Sequence, residues 1–106
     1  MALNNSTDDN FDKEVLGCSI PVVCQFSAKW CGPCVQIKTL VQELSEEMAD
    51  KIKFFYHDID NEPNTPTRFG VRGVPTFMVF KNKELKSTKV GAVPKSALKS
   101  WLLENV

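Results

Sequence analysis

The sequence predicts an α/β domain, a mixed β-sheet with helices on both of its faces. Three observations predict it. β-Branched and aromatic runs at residues 22–26 and 52–57 bracket a long amphipathic stretch, two further apolar runs are split by a short polar turn, and a helical pattern closes the chain. At 106 residues, 42% hydrophobic and 25% charged, the chain reads as a single domain over residues 1–106 with enough apolar side chain to bury a core.

Each element has a local reason. Thr7 or Ser6 can cap a first helix over residues 8–16, with Phe11, Val15 and Leu16 on one face and Gly17 as its stop. Pro21 opens the run at 22–26, which lacks polar alternation until Gln25 and so suits a central strand covered on both faces. From Cys34 to about Asp50 the apolar Ile37, Leu40, Val41, Leu44 and Met48 recur at steps of three and four, which predicts a long helix with one buried face. A strand follows at 52–57, so strand, helix and strand imply a parallel pair with a right-handed crossover. The turn-rich residues 60–66 lead to a short helical segment ending at Phe69 and Gly70. Strands at 76–80 and 85–90, separated by the polar residues 81–84, form a hairpin. A helix over 94–106 closes the fold and buries Leu98, Trp101 and Leu102.

Thirteen basic and thirteen acidic side chains cancel, which removes the positive field that holds nucleic acid or an anionic membrane. The first ten residues carry neither a basic residue nor an apolar run, so they read as neither a secretory signal nor an anchor, and the expected location is cytoplasmic. The sequons at Asn4 and Asn5 are then incidental. Cys18, Cys24, Cys31 and Cys34 are too few and too uneven for a secreted disulfide framework, so their meaning is local.

Trp30-Cys31-Gly32-Pro33-Cys34 stands between the central strand and the long helix. At a helix start the first sulfur lies beside unpaired backbone N–H groups and the positive end of the dipole, which favour thiolate over thiol, so Cys31 is the expected nucleophile. Cys34, one turn inside, is within reach of a disulfide yet shielded, and is the expected resolving thiol. Pro33 costs no helix hydrogen bond in the first turn and stiffens the loop.

With that motif, Asp58-Ile59-Asp60, Phe69-Gly70-Val71-Arg72-Gly73-Val74-Pro75-Thr76, Phe80-Lys81-Asn82 and Val90-Gly91, the chain closely resembles the thioredoxin family from about Asp8 onward. The resemblance implies a thioredoxin fold and a protein-disulfide reductase acting through a mixed disulfide, with a redox-active Cys31–Cys34 disulfide and no metal or bound cofactor. It implies that Pro75 is a cis proline facing the sulfurs and that Trp30, Gly73, Val74, Pro75, Gly91 and Ala92 meet the substrate peptide. It also implies an NADPH-dependent flavoprotein, thioredoxin reductase, as electron donor.

The chain departs from the family where a buried aspartate and a lysine commonly lie beneath the resolving cysteine: here stand Gln25 and Tyr56. Neither is a base near neutral pH, which predicts slower resolution and a changed pH profile unless Gln25 is simply a hydrogen-bonded core residue. Ser27 replaces a second tryptophan, Val35 a basic residue, and Thr39 a helix-kinking proline, so the rim is less aromatic and less positive and the long helix runs straighter. Cys24 reads as core, Cys18 as the more reachable thiol, and His57 as structural or surface. A zinc site lacks a matching second cysteine pair. A docking module without redox activity is opposed by the intact Cys31 and Cys34, and an oxidase or isomerase of the same superfamily by Gly32-Pro33.

Overall fold

The computed structural model describes residues 2–106; Met1, first residue of the N-terminal stretch read above, lies outside the described residues. Five strands, β1 (Leu3–Asn5), β2 (Val22–Ser27), β3 (Lys53–Asp58), β4 (Thr76–Lys81) and β5 (Glu84–Val90), form one sheet in the order β1-β3-β2-β4-β5. β2 pairs parallel with β3 and antiparallel with β4, so the sheet is mixed. The helices are α1 (Gly32–Glu47), α2 (Asn64–Arg68) and α3 (Lys95–Glu104), preceded by a π-helical segment, Phe11–Leu16.

All six residues of β2 are buried, as a strand covered on both faces requires. Alternation sorts them. Val23 joins Phe54, Phe77 and Val79 under Ile37, Val41 and Leu44 of α1 and Leu98 and Leu102 of α3. Val22, Cys24 and Phe26 join Phe55, Met78 and Phe80 against Phe11 and Val15 of the π-helical segment. Gln25 and Ser27 therefore share the α1 side of the strand with Val23.

Several details differ from the sequence reading. β1 was not foreseen: its polar Leu-Asn-Asn is held by parallel pairing with Phe54, Phe55 and Tyr56, and by Asn4 Nδ2 donating to the Phe54 carbonyl (3.1 Å). The first helix starts at Phe11 instead of Asp8. Thr7 and Asn10 satisfy each other, Asn10 N–H to Thr7 Oγ1 (3.0 Å) and Thr7 N–H to Asn10 Oδ1 (2.7 Å), so neither Thr7 nor Ser6 caps it. Gly17 does stop the segment, with its N–H on the Asp12 carbonyl (2.9 Å), and a Cβ there would collide with the Lys13 carbonyl. Trp101 is half-buried at the core's edge, with its indole N–H on Ser87 Oγ (3.1 Å).

The β4–β5 hairpin turns through Asn82 and Lys83, both in the left-handed region (φ 55° and 68°), the backbone of a two-residue type I′ turn. α1 begins two residues earlier than the periodicity indicated, because Pro33 fits the first turn, and it continues as α-helix past Thr39 to Glu47.

Candidate active site

β2 ends at Ser27, and the short loop after it delivers Cys31 as the N-cap of α1. The loop is closed by Cys31 N–H on the Ala28 carbonyl (3.2 Å). Cys31 Sγ accepts the Cys34 backbone N–H at 3.1 Å, so an orphan donor of the helix start points at the sulfur. Cys31 and Cys34 form a disulfide with their Cα atoms 5.2 Å apart. Cys31 is 5% exposed and Cys34 fully buried, which gives the two sulfurs unequal access to solvent. The first turn of α1 has no acidic residue to offset its dipole. An N–H aimed at the sulfur and the positive end of a helix dipole are the features that favour thiolate over thiol at a helix start.

The sulfurs pack with Ala28, Ile59 and Val74. The Val74–Pro75 peptide is cis, and the Val74 carbonyl oxygen lies 3.7 Å from Cys31 Sγ. Thr76 Oγ1 donates to the Gly73 carbonyl (2.5 Å), and Gly91 N–H donates to the Pro75 carbonyl (2.8 Å). Gly91 itself has φ 99°, a conformation that only glycine adopts without strain. Two grooves are lined by residues next to the cysteines in sequence, Trp30 and Pro33. Trp30, Gly73 and Val74 line one with Ile59, Val71 and Arg72; Ala92 and Pro33 line the other with Gln36, Ile37, Leu40 and Val93. Gly32, between the cysteines, is exposed and has nothing within 4 Å of where a Cβ would stand. Trp30 is 69% exposed, yet its indole N–H is held by Asp60 Oδ2 at 2.8 Å.

Ile59 and Asp60 are contributors that the sequence reading quoted without assigning them a place. The alternation of β3 into an Asp-Ile-Asp turn was their only signal, and their contact with Trp30 and the sulfurs spans about thirty residues of chain.

Gln25 and Tyr56 face each other in the β2–β3 register. The reading of Gln25 as a hydrogen-bonded core residue is corrected: neither Oε1 nor Nε2 has a partner among the described residues. With Gln25, the residues Val23, Val41, Phe54, Phe55, Phe77, Leu98 and Leu102 line a gap too tight for a water molecule. Tyr56 turns elsewhere. Its hydroxyl donates to Ser27 Oγ (3.0 Å), and Lys38 Nζ sits 4.4 Å from its ring centroid.

Cys24 is buried in the second core cluster with Ser6 Oγ 3.8 Å away, and burial pushes its thiol up to about 12 against the opposing Ser6 bond. Cys18 is half-buried against the same cluster and is unbridged. His57 is fully buried, so the surface position offered for it is corrected. Among the described residues no three His, Cys, Asp or Glu side chains are grouped to hold a metal ion, and no helix is long and apolar enough to cross a membrane.

A family model described as Thioredoxin matches residues 2–104. The chain is 42% identical over 104 residues to a thioredoxin of Rickettsia prowazekii, covering 98% of this chain and 99% of that protein. It is 43% identical over 99 residues to a thioredoxin of Allochromatium vinosum, covering 93% and 92%. It is 45% identical over 91 residues to a chloroplastic M-type thioredoxin of Pisum sativum, covering 86% of this chain and 53% of that protein. A bridged cysteine pair at a helix start, on a sheet of this order, is what such likeness leads one to expect, and the chain belongs to the thioredoxin family of thiol–disulfide oxidoreductases.

Proposed function

We propose that the protein is a cytoplasmic electron carrier, one domain over residues 1–106, that reduces disulfides in protein substrates with Cys31 as nucleophile and Cys34 as resolving thiol. The observation that carries this reading is the inequality of the two cysteines: Cys31 keeps 5% exposure and accepts a helix N–H at its sulfur, while Cys34 has none. The Cys31 thiolate attacks one sulfur of the substrate disulfide, and the other substrate sulfur leaves as a thiolate that takes up a proton. Cys34, once deprotonated, attacks Cys31 Sγ. The mixed disulfide breaks, the Cys31–Cys34 bond forms, and two electrons have passed to the substrate. The Cys-Gly-Pro-Cys motif does this with no bound cofactor, and an NADPH-dependent flavoprotein reductase returns the pair to the dithiol.

Trp30, Gly73, Val74, Pro75, Gly91 and Ala92 receive the substrate peptide, a reading supported by Trp30, Gly73 and Val74 lining one groove and Ala92 the other, with Gly91 bonded to the Pro75 carbonyl between them in sequence. Gly32 and Pro33 keep the inter-cysteine loop short and stiff. Gln25 and Tyr56 supply no base to Cys34, so its deprotonation is the slow part of resolution near neutral pH.

Insulin reduction with dithiothreitol, in wild type and in Cys34→Ser, tests the reading. The wild type is expected to turn over and the variant to accumulate a mixed disulfide through Cys31. Thiols inert toward insulin, or a trap that forms through another cysteine, would refute it.

A further inference from the structure

Outside the redox pair, one buried imidazole has hydrogen-bond partners at both of its ring nitrogens. His57, next to last in β3, is fully buried beside the Phe11 and Phe26 rings, whose centroids lie 5.9 and 5.2 Å from its own. Its Nε2 is 2.9 Å from the Glu62 carbonyl oxygen. A carbonyl can only accept, so Nε2 carries a hydrogen. In the neutral ring Nδ1 is then the acceptor for the Ser6 hydroxyl at 2.8 Å, and Ser6 is itself placed by its N–H on the Tyr56 carbonyl (3.0 Å). Both ring nitrogens are thereby committed, one to β1's end and one to the far end of the loop that follows β3.

That loop, residues 58–62, is laced along its length. Glu62 N–H donates to the Asp58 carbonyl (2.9 Å), Asp58 Oδ1 accepts Asp60 N–H (2.9 Å), Asp58 Oδ2 accepts Asn61 Nδ2 (3.1 Å), and Ile59 N–H donates to the Ser27 carbonyl (3.0 Å). Its outer residues face the sulfurs: Asp60 holds the Trp30 indole, and Ile59 packs on Cys31 and Cys34.

We propose that His57 is a positioning residue of the redox site, fixing the loop through the Glu62 carbonyl and so setting where Asp60 holds Trp30 and where Ile59 covers the disulfide. The proposal rests on the reading of Trp30 as part of the substrate-binding surface. A leucine at this position fills much of the ring's volume but leaves the Glu62 carbonyl and the Ser6 hydroxyl without their buried partner. A glutamine keeps an N–H for the carbonyl and an oxygen for the hydroxyl.

The test compares wild type, His57→Leu and His57→Gln in three assays: KM and kcat with insulin, the rate with the small disulfide dithiobis(nitrobenzoate), and hydrogen exchange of the Trp30 indole N–H. His57→Leu is expected to raise the insulin KM about fivefold, the factor one neutral hydrogen bond carries. It should speed indole exchange and leave the small-disulfide rate within about twofold, since that reagent needs only the sulfur. His57→Gln should recover most of each change. An insulin KM and indole exchange equal to wild type in His57→Leu, or no recovery by His57→Gln, overturns the proposal. Should His57→Leu fail to fold, His57→Met, which also lacks a donor for the Glu62 carbonyl, takes its place; a wild-type KM and indole exchange there overturns the proposal equally. A wild type that does not reduce insulin sinks the site reading, whereas an active wild type with indifferent variants sinks the positioning role alone.

Discussion

Replacing Gln25 by methionine should stabilise this protein, and the size of the gain follows from what the amide lacks. Gln25 is 1% exposed, and its two polar atoms together offer two donor hydrogens and two acceptor lone pairs, none of them used. Seven apolar or aromatic residues line the gap beside it, which has no room for water. An unpaired buried amide costs about 1–3 kcal/mol in protein mutational series. Methionine has the same chain length and a similar volume, demands no hydrogen bond, and adapts to irregular gaps, so almost all of that cost is recovered. Thermal and urea unfolding of the oxidised protein should show a gain of about 1–3 kcal/mol at an unchanged m-value, with Tm rising by roughly 4–8 °C for each kcal/mol. The disulfide must stay intact in both proteins, because reduction would alter the unfolded state as well. An unchanged or lower stability would mean that the amide finds partners in solution and that the cost assigned to it is wrong.

The remaining predictions concern charge. Gln25→Asp puts a carboxyl into the same apolar gap, where burial raises its pKa, so stability should decline as pH climbs above the ordinary carboxylate value of about 4. Stopped-flow breakdown of the mixed disulfide should then be faster near neutral pH than in wild type, and identical rates and pH profiles would remove the idea that Gln25 slows resolution. Asp8 caps α2 from a distance, accepting Asn64 N–H (3.0 Å), Thr65 N–H (2.8 Å) and the Thr65 hydroxyl (2.6 Å). Burial alone would raise its carboxyl, but those bonds and the nearby His57 outweigh burial and hold it below the usual 3.8. A lowered folded pKa stabilises above the unfolded value and is lost as pH falls through the folded one. Asp8→Ala should therefore cost about 1 kcal/mol at pH 7, as a lost helix cap does, with the difference from wild type shrinking below pH 4 in acid unfolding curves.

What could be read from the sequence was set by how local each cause is. β2, β3, β4, α1 and α3 follow from side-chain periodicity, which the chain carries within a dozen residues. β1 does not. Three residues with two asparagines have little strand preference of their own, and they become a strand only because β3, fifty residues away, offers an open edge. The onset of the first helix was misplaced for a related reason: Ser6 is a good cap by type, but its hydroxyl is taken by His57, and Thr7 pairs with Asn10.

The redox pair obeys the same division. Cys31 and Cys34 were legible because the interaction that distinguishes them, the Cys34 N–H on Cys31 Sγ, spans three residues at a strand–helix junction. The cis Pro75 and the groove glycines came through family resemblance, since nothing in their local spacing requires them beside the sulfurs. For Gln25 the sequence carries half of the result. A strand covered on both faces must send residues 23, 25 and 27 to one side, so the amide's burial follows from parity. Its lack of partners does not follow, because that depends on which residues α1, β3, β4 and α3 bring to the same spot, and every one of those residues is apolar. Tyr56, which register places directly opposite, could have met the amide, but its hydroxyl goes to Ser27, the small residue standing where the family commonly has an aromatic ring. The isolation of Gln25 is thus a consequence of Ser27 as much as of Gln25. Tyr56→Phe should therefore cost about 1 kcal/mol, the worth of one hydroxyl bond, equally in wild type and in Gln25→Met; a different cost in the two backgrounds on urea unfolding would show that the hydroxyl and the amide interact.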